Sequence, residues 1–218
     1  MADVAESPRR VVAAFDFDGT ITDRDTLVPF LVRAFGRTRV AAAFAALGLH
    51  AIAFALGRIS IDAFKVRVLR RLVAGEPVER LRALGEAHAR GVWRWLRIEA
   101  VERIEWHRER GHRLVLVSST LDLYLAVVAS DLGFDDLICS RLAVVQGGDG
   151  IARCTGLLEG ADCTGAEKLR RLRALVGDLR EVELHAYGNS AGDRELLAAA
   201  DHPHYRAFQR VKSGLVVR

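Results

Sequence analysis

The sequence predicts an α/β fold: a doubly wound parallel sheet with helices on both faces, interrupted by one helical insert. Three observations predict it. Residues 11–15 (VVAAF), 114–117 (LVLV) and 182–187 (VELHAY) are short, largely apolar runs of the kind that form strands buried on both faces. Each run ends in a polar cluster, at 16–22, 118–120 and 188–190, and helical periodicity follows at 121–132 and 194–200. In a parallel sheet the carboxyl ends of the strands lie along one side, where such sheets bind ligands, so the three polar clusters are expected to meet there.

Taken in order, the first strand occupies 11–15. From about 24 to 97 the strand rhythm stops and only helical patterns appear, at 26–35, 40–56, 61–73 and 77–95, punctuated by Gly57, Gly75 and the Glu76-Pro77 pair. Residues 98–111 read as the helix leading into the second strand. Residues 142–158 read as a hairpin with a glycine-rich turn at Gly147, Gly148 and Gly150. His202 and His204, on either side of Pro203, are expected in a loop. There is no internal repeat. The expected organisation is a core of residues 1–23 and 98–218 and a helical cap of residues 24–97.

Composition narrows the class. Half of the 218 residues are hydrophobic and 28% are charged, which excludes disordered and fibrous chains. Cys139, Cys154 and Cys163 lack metal-site spacing, and three scattered thiols suit a reducing compartment. The polar MADVAESPRR start has no signal-peptide pattern, so a cytoplasmic location is expected. Charge is uneven: residues 24–97 hold 14 Lys+Arg against 5 Asp+Glu, a net of +9, and the remainder carries −5. A basic module is thus set into an acidic one.

The first polar cluster carries the chemistry. Asp16 and Asp18 are two carboxylates at the mouth of one strand, and like charges this close raise each other's pKa unless a cation lies between them. Mg²⁺ suits such a site, since it takes a few oxygen ligands together with substrate phosphate oxygens. One carboxylate can then act as nucleophile and the other can move a proton to the leaving group. Gly19 lets the backbone bend toward a phosphate, and Thr20 and Thr22 offer hydroxyl donors. The blander alternatives are an acidic turn capping a helix at Thr22 or Asp23, Ser118 as a helix cap, and Lys168 on a solvated helix face.

The order of the motifs decides among them. FDFDGTIT resembles motif one of the haloacid dehalogenase (HAD) superfamily of phosphohydrolases. LVLVSST with Ser118 resembles motif two, Lys168 in GAEKLRRL motif three, and YGNSAGDRELLAAAD motif four. They span nearly the whole chain. A helical insert between motifs one and two is what that superfamily calls a type one cap. SSTLDLYLAVVASDLGFDDLICSRL and the later GAEK spacing are similar to the phosphoserine-phosphatase-like branch (HAD-IB). The resemblance implies a HAD-like Rossmannoid core and an Mg²⁺-dependent phosphomonoester hydrolase. In it Asp16 forms an aspartyl phosphate, and Asp18 protonates the leaving oxygen and then activates water. Ser118 and Lys168 steady the phosphoryl oxygens. Mg²⁺ is held by Asp16, the Asp18 carbonyl, Asn189 and Asp193. Gly19, Thr20 and Ser119 are expected around the substrate phosphate. Asn189 departs from the branch, which usually has an acidic residue there, so the metal shell carries one charge fewer.

The cap is expected to choose the substrate. By resemblance, Asp25 occupies the position that grips a substrate amine and Arg71, with Arg67 and Arg70 nearby, the one that grips a carboxylate, giving phosphoserine or a similar small polar phosphomonoester. The alternatives are that Asp25 caps the helix beginning at Thr26 and that the arginines form a solvated face. Residues 40–57 (VAAAFAALGLHAIAFALG) contain one ionisable group, His50, and are apolar all round. They fit a buried cap helix. Together with the cap's positive charge they also fit contact with an anionic membrane, and hence a lipid-phosphate (phosphatidylglycerophosphate-like) phosphatase. A non-catalytic lipid- or protein-binding relative is the third reading. Trp93, Trp95 and Trp106 fall at helical packing positions, and no nucleic-acid motif accompanies the basic residues.

Overall fold

A computed structural model describes residues 9–48, 56 and 61–209. Its central sheet has five strands, all parallel: β1 Arg10–Phe15, β2 Arg113–Leu121, β3 Asp136–Ser140, β6 Val182–Gly188 and β7 His202–Tyr205, in the order β3-β2-β1-β6-β7. The remaining strands, β4 Leu142–Gln146 and β5 Ala152–Leu158, form a separate antiparallel hairpin. This is the predicted doubly wound architecture.

Period-two alternation sorts the sheet residues into two cores. Ala13, Phe15, Leu114, Leu116 and Tyr187 pack with the cap and with α5 (Ile98–Arg108) and α6 (Asp122–Asp131). Val12, Ala14, Val115, Val117, Leu184 and Ala186 pack on the other face, against Leu172 and Val176 of α7 (Ala166–Val176) and Leu196 and Leu197 of α8 (Arg194–Ala198). Burial on both faces is why the strand sequences are almost wholly apolar. The three cysteines are free and buried.

The cap consists of α1 (Leu27–Phe35), α2 (Arg37–Ala45), α3 (Ile61–Val73) and α4 (Val78–Val92). Chain enters and leaves it through a narrow neck: Thr22 pairs with Leu96, Asp23 N–H donates to the Trp95 carbonyl (2.9 Å) and Arg97 N–H to the Ile21 carbonyl (2.8 Å). A second attachment joins it to the hairpin, where Gly75 N–H donates to Cys154 (2.8 Å) and Cys154 N–H to Glu76 (2.9 Å).

Three expectations change. The helix expected over 40–56 begins at Arg37, just after Gly36, and ends at Ala45. Its described part is a surface helix with one buried stripe, Val40, Ala43 and then Leu47, while Ala41, Ala42 and Ala45 face solvent. Residues 49–55 and 57, with His50 among them, lie outside the described residues. Among the described residues no helix is long and apolar enough to cross a membrane. Residues 202–205, expected as a loop, form an edge strand on β6. Pro203 is tolerated because an edge strand leaves one row of N–H groups unpaired. β3 went unread as a strand because its five residues, DLICS, are too short and mixed to show a period.

The cap's seam with the core turns on Gly85. α4 follows a helical stripe, with Val78, Leu81, Gly85, His88, Ala89 and Val92 buried. A Cβ at position 85 would lie 2.1 Å from the Leu123 carbonyl oxygen of α6. Gly to Ala inside a helix normally stabilises by about 1 kcal/mol. Here we expect Gly85→Ala to destabilise by about 1–3 kcal/mol, because the two backbones must separate. Urea denaturation measures it, and a raised midpoint would contradict the close approach.

Candidate active site

Asp16 follows β1 directly, and its N–H donates to the Tyr187 carbonyl (2.9 Å), continuing the β1–β6 ladder by one residue. Its carboxylate faces Lys168, from the first turn of α7. The ammonium donates to Asp16 Oδ1 and to Asp193 Oδ1, both at 2.6 Å. All three groups are buried. Removing three charges from water costs several kcal/mol each unless pairing and hydrogen bonds compensate, and here they do. Asp16 Oδ2 accepts from the Thr20 hydroxyl (3.0 Å). Asp193 Oδ2 accepts from the Asn189 N–H (3.0 Å) and from the Ser190 N–H and hydroxyl (both 2.9 Å).

The electrostatics follow from this geometry. Burial opposes charge on Lys168, but Asp16 and Asp193 outweigh it and hold the ammonium above its ordinary pKa. Burial also acts against Asp193. There Lys168 and the Ser190 and Asn189 N–H donors win, and the carboxyl titrates below its usual range. For Asp16 burial prevails over Lys168, Asp193 adds repulsion, and the pKa rises.

Asp18 points elsewhere. Its Oδ1 accepts from the Thr26 N–H (2.9 Å) and hydroxyl (2.7 Å), and its Oδ2 from the Thr120 hydroxyl. Thr26 in turn hydrogen-bonds the Tyr124 hydroxyl (2.8 Å). Burial, followed by the charge of Asp25, pushes Asp18 up to about 7 against these donors. Two carboxylates two residues apart thus sit in different environments, one against a lysine and one among neutral hydroxyls. Pairs separated in this way divide into distinct acid–base roles.

The turn that follows Asp18 is built around a glycine. Gly19 has φ +78°, and a Cβ there would lie 2.1 Å from Asn189 Nδ2. The Asn189 amide is therefore packed against Gly19, on the turn that follows Asp18. The Asp16 carboxylate, the Asp18 main-chain carbonyl and the Asn189 amide offer only hard oxygen donors, which fits Mg²⁺. Asp193, which shares the Lys168 ammonium with Asp16, also accepts from the 189–190 backbone and so orders the loop that carries Asn189.

Other expected residues divide. The Thr22 hydroxyl lies 3.2 and 2.7 Å from the Phe17 and Arg24 carbonyls and accepts from Gly19 N–H (3.2 Å), so it holds the turn. Ser118 is buried at the carboxyl end of β2, where its hydroxyl accepts from Thr120 N–H (3.1 Å). Asp25 and Ser119 line a cavity of about 830 Å³ between cap and core. Asp25 also accepts from Val28 N–H (3.0 Å), so it caps α1 as well. Arg71 is exposed and lies outside the cavity lining. Among the described residues the cation that lines it is Lys65, which donates to the Ser119 carbonyl (2.8 Å) and to Asp162 Oδ1 (2.6 Å). Thr26, Thr120, Tyr124 and Lys65 were missed. Thr120 alone carried a signal, its place in a polar cluster at a strand end. The others arrive from distant chain.

Comparison with known proteins places the chain in a family. The family described as haloacid dehalogenase-like hydrolase matches residues 13–198. Protein CicA of Caulobacter vibrioides is 36% identical over 210 residues, covering 91% of this chain and 87% of that protein. A Bordetella pertussis Tohama I protein of unknown function superposes with a TM-score of 0.70 at 27% identity, over 88% of this chain and 87% of its own. A substrate-bound phosphoserine phosphatase superposes at 0.60 with 20% identity, over 89% and 84%, a likeness of fold.

Two outcomes follow from the buried charges. Lys168→Met leaves Asp16 and Asp193 facing each other unpaired, and loss of one partner from a buried charge cluster costs about 3–5 kcal/mol, measurable by denaturant titration of metal-free protein. Asp18 binds its proton more tightly folded, at about 7, than unfolded, near 3.8. Its contribution is therefore full below the unfolded value and is lost as pH rises through 7. In metal-free protein Asp18→Asn should melt higher than wild type at pH 8, with the gap closing toward pH 4. A gap that widens on acidification would contradict the environment assigned to Asp18.

Proposed function

The chain belongs to the haloacid dehalogenase-like hydrolase family, and on that premise we propose that it hydrolyses phosphomonoesters through an aspartyl phosphate on Asp16. The observation that carries this reading is the division of labour between Asp16, held against Lys168, and Asp18, held apart and protonated up to about pH 7. An Asp16 oxygen attacks phosphorus and the ester P–O bond breaks. Asp18 delivers its proton to the departing alkoxide. Asp18, now a carboxylate, takes a proton from water, which attacks the acyl phosphate, releases inorganic phosphate and restores Asp16. Lys168 balances the negative charge of the transferring group. The Asp16 carboxylate, the Asp18 carbonyl, Asn189 and Asp193 would hold Mg²⁺, which would supply further neutralisation of the phosphoryl oxygens.

The cavity bears on the organic part of the substrate. Its walls include Leu27, Leu31, Phe44, Phe64, Val68 and Leu69, and Lys65 in the same lining is already paired with Asp162. A phosphoserine carboxylate would have to compete with Asp162 for that cation. This lining favours the amphiphilic alternative over a small polar phosphomonoester: a phosphate at the carboxyl ends of the strands with an apolar group in the cap.

Release of phosphate from para-nitrophenyl phosphate with millimolar Mg²⁺ should fall by more than about 10³-fold in Asp16→Asn, since no covalent step remains. Along a series of n-alkyl phosphates kcat/KM should rise roughly fourfold per methylene, from about 0.8 kcal/mol of burial each, until the cavity is filled. Faster turnover of phosphoserine than of every alkyl phosphate would overturn the amphiphile reading. Absence of turnover by folded protein would overturn the enzyme reading in favour of a binding role.

A further inference from the structure

Five of the seven histidines gather on the sheet face away from α7 and α8, around the β6–β7 edge. The register explains why. β6 and β7 are parallel with His185 opposite His202 and Tyr187 opposite His204, so alternation puts Glu183, His185 and Tyr187 on the same face as His202 and His204. α5 and the turn after it bring His107 and His112 onto that face. No step of the proposed hydrolysis uses any of these side chains.

Three of them converge. Glu183 Oε1 lies 2.8 Å from His202 Nε2 and 3.6 Å from His185 Nε2, and the three groups offer ligand atoms all within 4.8 Å of one another. Ligands at about 2.0–2.1 Å around a tetrahedral ion stand roughly 3.3 Å apart, so small side-chain rotations suffice. The next residues out are suited to the role. His185 Nδ1 lies 3.4 Å from His204 Nε2, so a proton on Nδ1 leaves Nε2 of His185 as the ligand atom and sets the ring's orientation. His202 is exposed and Glu183 half-buried, which leaves the position open to solvent.

We propose that Glu183, His185 and His202 form a binding site for a borderline divalent transition-metal ion, Zn²⁺ first, that clips edge strand β7 to β6. Two imidazoles and one carboxylate select such an ion over Mg²⁺, which prefers oxygen. The site is therefore chemically distinct from the all-oxygen set at Asp16, and water completes the coordination. It also stands two residues before Tyr187, whose carbonyl holds Asp16 N–H, so it lies on the strand that supports the catalytic loop.

Untagged full-length protein, dialysed against micromolar Zn²⁺ with millimolar Mg²⁺ present to hold the catalytic oxygens, should bind one Zn²⁺. Affinity should fall at least tenfold in His202→Ala and in Glu183→Gln, both near-surface changes whose folding circular dichroism checks, and persist in Asp16→Asn. Zn²⁺ should raise the melting temperature of wild type and not of His202→Ala. Equal Zn²⁺ affinity in wild type and both edge variants would overturn the proposal. So would binding that disappears in Asp16→Asn, or no binding by folded wild type.

Discussion

The structure depends on one buried ammonium. Lys168 stands between Asp16 and Asp193, and its two hydrogen bonds tie together the end of β1, the start of α7 and the loop after β6. None of these charges could be buried alone, because desolvation would neutralise it or force it toward water. Together they are compensated, and the compensation is specific: every oxygen of the two carboxylates has a named donor. The cluster is a poor source of net stability and a good source of position. It brings three separate stretches of chain to one point and leaves one carboxylate beside a fixed positive charge.

A second constraint separates the two aspartates of the same turn. Asp16 faces the lysine while Asp18 accepts from Thr26 and Thr120, and Gly19, with positive φ, turns the chain directly after Asp18. Thr26 begins the cap and Thr120 lies near the end of β2, so the surroundings of Asp18 are assembled from both parts of the molecule. The cap is thus more than a roof over the cleft. Its entry residue Thr26 holds the Asp18 carboxyl, and its apolar side chains form the inner wall of the cavity.

The opposite character of the sheet's far edge is equally physical. Edge strands are blunted with charge, proline or cover, and β7 shows two of these, with Pro203 in the strand and imidazoles stacked along the β6 face. The stacking His185–His202 pair brings ring nitrogens close to Glu183, an arrangement with no counterpart in the catalytic centre, where the donors are oxygens and an ammonium.

The amino-acid sequence by itself determined the doubly wound class, the helical insert, the hairpin and the polar clusters holding Asp16, Asp18, Ser118, Lys168, Asn189 and Asp193. Each is written in local chemistry: apolar runs for strands buried on both faces, 3.6-residue periodicity for helices, and polar residues where a strand ends. Tertiary structure alone decided that Lys168 bridges Asp16 to Asp193, that Thr26 and Tyr124 support Asp18, and that Lys65 rather than Arg71 lines the cavity. It also decided that the segment around Pro203 is a strand. These outcomes depend on which distant residues meet, and helix phase and strand register set that: Arg71 lies six residues after Lys65 on α3 yet faces solvent, and His202 became a strand residue only because β6 offered it a free edge.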